Sequence, residues 1–146
     1  MIQNLFFIFL FLVSNLALSE EVKLSCDMKV TKLYSTGSEE HLNINEVFDI
    51  IDSGSIKSIT PLSPNFNGTT TRNFEGKLSY KDYSTPNKWH LNEAASSGDA
   101  IVNTTIIIDR HSGKISYSGL FKNPSGSVTT SAVGDCVKLD TTKKKF

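Results

Sequence analysis

The first nineteen residues limit what this chain can fold into more than any other feature of its sequence. Residues 5–13 are all apolar, the small residues Ala17 and Ser19 follow, and two glutamates, Glu20 and Glu21, come next. An apolar run of roughly 9–12 residues followed by a small-x-small site is typical of a cleavable secretory signal peptide. The sequence therefore predicts a signal peptide over 1–19 and a single domain over 20–146, which ends in a short basic tail.

An uncleaved membrane anchor is the alternative, since no Lys or Arg precedes the apolar run. Counted to Leu18, the segment is about 17 residues long with polar interruptions, whereas a membrane span needs roughly 20. Cleavage also removes 14 of the 56 hydrophobic residues from the folding chain, and the remaining ones are enough for a single core with few hydrophobic residues.

The charge balance excludes two classes of function. The chain has 15 basic and 15 acidic residues, all after residue 19. Nucleic-acid binders and polybasic membrane-surface proteins depend on net positive charge, so neither class is expected. No second apolar stretch approaches spanning length. The folding part is therefore expected to be soluble, to lack a membrane span, and to be a monomer.

Two cysteines, Cys26 and Cys136, lie near the two ends of the predicted domain. In an oxidising compartment such a pair is most simply a disulfide. A lipid-modified Cys26 is the first alternative, but that modification needs small or apolar residues directly after the apolar run, and Glu20-Glu21-Val22-Lys23 intervene. The second and third alternatives are a redox pair, which usually has C-x-x-C spacing, and a zinc site, which needs converging histidines.

The residue pattern after residue 19 favours β-strands, because short runs of β-branched and aromatic residues alternate with Gly, Pro, Asn and Asp. Two segments predict hairpins, 50–56 and 106–115, since each places an Asp and a Gly between apolar runs. Residues 45–51 could start a helix capped by Asn45, but their β-branched residues favour a strand. Loops are predicted over 61–71 and 92–99, with a short strand over 88–91 and the last strand over 128–139.

These segments predict an all-β fold of seven or eight antiparallel strands. A bridge between Cys26 and Cys136 would join the first strand to the last. In a meander those strands are the sheet edges, so the bridge favours a small barrel or a strongly curled sheet, which also protects exposed edges. A two-sheet β-sandwich whose first and last strands are adjacent is the alternative.

Four patterns carry a resemblance to a family. They are Asn87-Lys88-Trp89-x-Leu91, Ile108-Asp109-Arg110-x-x-Gly113, Gly134-x-Cys136 and Lys143-Lys144-Lys145-Phe146. In their order and spacing they resemble a group of small exported bacterial β proteins with no assigned activity. The resemblance covers the C-terminal half and reaches the N-terminal half only through Cys26. It implies a bacterial envelope origin and a β fold with one disulfide, and it implies no activity.

The sequence contains no recognised catalytic, phosphate-binding or dinucleotide-binding motif. His41, His90 and His111 are its only histidines, and we interpret them as exposed loop, edge and turn residues, so no metal and no cofactor are predicted. Trp89, the only tryptophan, is the one candidate ligand-facing aromatic, although a core position is the commoner role in a small β domain. The lysines of 143–145 are expected to be solvated.

The function that these observations favour is a non-enzymatic binding or envelope-associated module, periplasmic or secreted, with an unknown protein or small-molecule partner. One alternative is a carrier with a lipid or small molecule in a barrel cavity. Another is a hydrolytic enzyme whose Asp, Glu and His residues come together only in the fold.

Overall fold

The structure, a computed structural model, describes residues 20–52, 57–61 and 77–140. The predicted signal peptide, most of the loop predicted over 61–71, and the lysines of the predicted basic tail lie outside the described residues.

All regular structure in the described residues is β. The eight strands are β1 (Glu20–Tyr34), β2 (Glu39–Asp52), β3 (Lys57–Pro61), β4 (Lys77–Asp82), β5 (Lys88–Ser97), β6 (Ala100–Asp109), β7 (Lys114–Asn123) and β8 (Gly126–Lys138). They form one antiparallel sheet in the order β3-β2-β1-β8-β7-β6-β5-β4. The predicted fold class and strand number are confirmed, and residues 45–51 belong to a strand, as expected.

The sheet is strongly curled into a half-barrel. β3 lies at one edge of the strand order, yet it contacts β5, which is next to the other edge. The eight strands therefore belong to one curled sheet rather than to the two layers of the alternative sandwich.

The first and last strands are neighbours, as the predicted bridge requires. β1 and β8 pair from Leu24↔Lys138 to Tyr34↔Val128. They are not the edges of the sheet, however, because the described sheet ends at β3 and β4. The expectation that the bridge ties two edges is therefore wrong in this detail: it joins two central strands.

The hairpin predicted over 106–115 is confirmed by the pairing of β6 with β7, which reaches Ile108↔Ile115. Antiparallel pairing of Asp52 with Lys57 likewise joins β2 to β3, although residues 53–56 between them are not described.

The loop predicted over 92–99 is wrong for residues 92–97, which continue β5. Their Asn, Ala and Ser side chains have low strand propensity. Both β4 and β6 pair with this stretch, and such ladder pairing overrides the local preference.

The core lies on the concave side of the sheet, because alternate residues of each strand face it. On β6, for example, Val102, Thr104, Ile106 and Ile108 are buried while their neighbours are half-buried or exposed. The buried core cluster consists of Val22, Leu24, Cys26, Met28, Val30, Phe48, Ile50, Ile59, Trp89, Leu91, Ile106, Ile108, Ile115, Tyr117 and Ala132.

We call the end of the half-barrel that holds the β4–β5 and β6–β7 turns the lower end. The start of β1 and the ends of β2 and β8 lie at the same end, because Glu20 pairs with Asp52 and Leu24 pairs with Lys138. Three of the four sequence patterns described above fall at or near this end.

Candidate functional site

The β6–β7 turn is organised by the Asp109 side chain. Its Oδ1 accepts hydrogen bonds from the Ser112 backbone N–H at 2.7 Å, the Ser112 hydroxyl at 2.9 Å and the His111 backbone N–H at 3.0 Å. The Ser112 bonds and then the His111 bond lower the pKa of Asp109 below its usual range. Gly113 ends the turn with φ 70°, a conformation that glycine adopts without steric cost.

This turn also connects three of the four sequence patterns described above to one another. The Arg110 N–H donates to the Asn87 carbonyl at 2.9 Å, and the His111 ring Nε2 lies 3.1 Å from Asn87 Oδ1. On the other side, the Cys136 N–H donates to the Gly113 carbonyl at 2.8 Å. A Cβ on Gly113 would collide with the Cys136 carbonyl oxygen. These residues therefore have clear structural roles.

Cys26 and Cys136 form the predicted disulfide, with an S–S distance of 2.05 Å. The two cysteines are directly paired in the β1–β8 ladder, and Cys26 is fully buried. Their Cα atoms are 4.0 Å apart, which is near the spacing of a non-hydrogen-bonded antiparallel pair. Gly134 lies two residues away, where a Cβ would be 2.9 Å from the Met28 Cα, so β1 and β8 approach each other closely here. A disulfide of this kind indicates an oxidising compartment.

Trp89 lies in the core, 6% exposed, and the Arg110 guanidinium stacks on it with Cζ 4.6 Å from the ring centroid. Arg110 also reaches across the lower end of the half-barrel, where its Nη1 lies 3.7 Å from Asp52 Oδ2. Asp52 belongs to β2, and three strands lie between β2 and β6 in the sheet. The ion pair therefore connects two hairpins that are not neighbours in the ladder, and it covers one end of the core.

Sequence reasoning placed Trp89, Arg110 and Asp52 in three separate patterns and did not bring them together. A signal was present, because the two predicted hairpins repeat the same Asp and Gly chemistry, and both the β6–β7 turn and Asp52 at the end of β2 lie at the lower end. Trp89 is in the core, the commoner of the two roles that we considered for it. Whether it also faces a ligand stays a prediction.

The convex face carries a groove of about 420 Å³ between β1, β8 and β7. Three of its charged residues are held by neighbours: the Asn45 side-chain amide donates to Asp27 Oδ1 at 2.6 Å, and Lys114 forms an ion pair with Asp135. Val133, by contrast, stands 61% exposed between these charges. The lining residues are Asp27, Lys29, Lys114, Ile115, Val133, Gly134 and Asp135.

The three histidines do not come together. His41 lies on β2 rather than in the predicted polar loop, and its exposed ring contacts Thr31 and Glu39. His111 is in the β6–β7 turn, as expected, while His90 is half-buried on β5 beside the Tyr83 ring. Across the described residues, no three His, Cys, Asp or Glu side chains are grouped closely enough to hold a metal ion.

Comparison with models of known protein families, with curated proteins and with solved structures gives no match to this chain. Within residues 20–52, 57–61 and 77–140, the structure contains no helix with the length and apolar character that crossing a membrane requires.

Proposed function

We propose that this protein is an exported, non-enzymatic β module that binds its partner on the convex face of the half-barrel. The observation that carries the proposal is the convex groove with the exposed Val133 among paired charges. Val133 and Val137 lie four residues apart on this face of β8, 61% and 64% exposed, and exposed apolar side chains on one face with a polar rim mark interaction sites.

The packing of the concave face supports the same conclusion. Phe48, Ile50 and Ile108 have no exposed surface, and Leu91 has almost none. Side chains packed at this density leave little room for a carried molecule among them. Recognition by the described residues is therefore assigned to outward-facing side chains.

The compartment is proposed from two independent features. The disulfide favours an oxidising environment, where such bonds persist. The apolar segment followed by Ala17 and Ser19 would deliver the chain there, to the periplasm or outside the cell, with removal of the signal peptide.

The test is native mass spectrometry of the protein isolated from its own host without denaturation. Three forms are compared: the unaltered protein, Val133→Asp in the groove, and Thr129→Asp on the same face of β8 outside the groove. A bound species should be present in the unaltered protein and in Thr129→Asp, and absent from Val133→Asp. If all three forms retain the bound species, its site lies outside the groove, which is the result expected of a carrier with an internal ligand. If no form has a bound species, the proposal is contradicted. Turnover of a captured compound would contradict the non-enzymatic part.

A further inference from the structure

The two cysteines of the disulfide have unequal surroundings. Cys26 is fully buried, whereas Cys136 is only partly buried against the core. The neighbours of Cys26 on the core-facing side of the sheet are all buried. They are Leu24 and Met28 on its own strand and Glu46, which is paired with it on β2. A reagent in solvent therefore has no access to the Cys26 side chain in the folded domain.

The neighbours of Cys136 cover it far less. On the same face of β8, Gly134 has no side chain and Lys138 is exposed. Toward β7 the neighbour is Gly113, whose carbonyl accepts a hydrogen bond from the Cys136 N–H and which also has no side chain. Strand β7 begins only at Lys114, so Cys136 lies just past the β7–β8 ladder. The exposed part of Cys136 therefore faces the lower end of the half-barrel.

Access decides which sulfur of a disulfide reacts, because exchange requires that an attacking thiolate reach that sulfur. We propose that Cys136 is the thiol–disulfide exchange site of the folded domain, and that Cys26 is its resolving cysteine. The reactants are soluble thiols and disulfides. Cys26 is suited to the resolving role because it is paired directly with Cys136, with 4.0 Å between the two Cα atoms. This site lies on the core-facing side of β8 and is separate from the convex groove.

The bridge forms in two steps at the expense of one external disulfide, RSSR. The Cys136 thiolate attacks one sulfur of RSSR, so a mixed disulfide forms at Cys136 Sγ, the RS–SR bond breaks, and one RS⁻ leaves. The Cys26 thiolate then attacks Cys136 Sγ, which forms the bridge and releases the second RS⁻. The two RS⁻ groups take up the two protons that the cysteines lost. In total, two protein thiols lose two electrons and RSSR is reduced to two RSH. Reduction of the folded protein follows the reverse path, with Cys26 as the leaving sulfur.

The experiment uses the variants Cys26→Ala and Cys136→Ala, each of which keeps one thiol, and glutathione disulfide as the probe. The rate of glutathione addition is measured by intact-protein mass spectrometry. Each native rate is divided by the rate of the same variant unfolded in urea, which removes intrinsic differences between the two thiols. The ratio for Cys136 should exceed that for Cys26 at least about tenfold, because a buried thiol reacts only from a minor open state. Equal ratios, a larger ratio for Cys26, or no addition to either native variant would overturn the proposal.

Circular dichroism establishes that both variants are folded. If either is not, the unaltered protein supplies the second measurement. It is treated with reduced glutathione under native conditions and then quenched with N-ethylmaleimide in denaturant. Trypsin places Cys26 and Cys136 in separate peptides, 24–29 and 123–138, so mass spectrometry assigns each adduct. Glutathione should be on Cys136 and maleimide on Cys26. Glutathione on Cys26, on both cysteines equally, or on neither would overturn the proposal.

Discussion

Replacing both Cys26 and Cys136 by alanine should lower the free energy of unfolding by about 4–5 kcal/mol, the chain-entropy value for closing a ring of roughly 110 residues. The bridge joins residues 110 apart in sequence, so it restricts nearly the whole domain when unfolded. The folded state should change little, because the two cysteines are directly paired in a continuous ladder. A domain of this size typically has only about 5–15 kcal/mol of stability in total, so the variant should be marginally stable.

The assay is urea unfolding followed by Trp89 fluorescence and by circular dichroism, so that coincident curves test two-state behaviour. The slope of free energy against urea should rise in the alanine variant, because an unfolded chain without the bridge is less compact and exposes more surface. The matched control replaces Thr31 and Ser131 by alanine. These two residues are also paired directly between β1 and β8, and they carry no covalent bond.

Two results would refute this reasoning. A loss below about 1 kcal/mol with an unchanged urea slope would mean that the bridge does not restrict the unfolded chain. An equal loss in the Thr31 and Ser131 control would mean that disturbance of the β1–β8 ladder, rather than the lost covalent link, lowers the stability.

Three further predictions follow from single residues, all measured by urea unfolding. Gly134→Ala should cost at least about 3 kcal/mol, because its Cβ would collide with the β1 backbone, while Ser131→Ala on the same strand should stay within about 0.5 kcal/mol; equal values would contradict the close approach. Phe48→Ala, at a position with no exposed surface, should cost about 3–5 kcal/mol, whereas the exposed Val133→Ala should cost almost nothing; a small loss at Phe48 would mean that the core is loosely packed. The lowered pKa of Asp109 stabilises the fold above its usual carboxyl value of about 3.9, and this contribution disappears as the pH falls through the lowered value. Asp109→Asn should therefore make stability depend less on pH in that acidic window than it does in the unaltered protein, and an identical pH profile would contradict the turn's role.

Local chemistry made the strands and the β6–β7 hairpin predictable. Asp109 and Gly113 act within five residues of chain, so their turn could be read without knowledge of the rest of the fold. The stretch over 92–97 could not, because its Asn, Ala and Ser side chains form a strand only where β4 and β6 pair with it on both sides. The sheet edges could not be predicted either. β3 and β4 follow each other in sequence, and no local pattern indicates that, among the described residues, they lie at opposite edges instead of pairing.

The contacts among Trp89, Arg110 and Asp52 at the lower end could not be predicted from the sequence, although each residue lies in a pattern that the sequence shows. Asp52 and Arg110 are separated by more than fifty residues, and their contact depends on how far the sheet curls. The sequence predicted both hairpins and singled out Trp89. The spacing of residues along a chain, however, does not tell which side chains of distant strands come into contact when the sheet curls. The convex groove was hidden for a similar reason, because its residues come from β1, β7 and β8.

The strand order shows where the chain could be circularly permuted. β8 ends next to the start of β1, with Lys138 opposite Leu24, while β3 and β4 are consecutive in sequence but lie at opposite edges of the sheet. A circular permutant that links β8 to β1 and opens the chain between β3 and β4 would keep the same sheet. All of its strand pairs would then be sequential neighbours, in the order β4 to β8 followed by β1 to β3. Its contact order would fall, and low contact order accompanies fast folding. The pairing of β1 with β8 stays in such a permutant, but it changes from a pairing between the two ends of the chain to one between sequential neighbours.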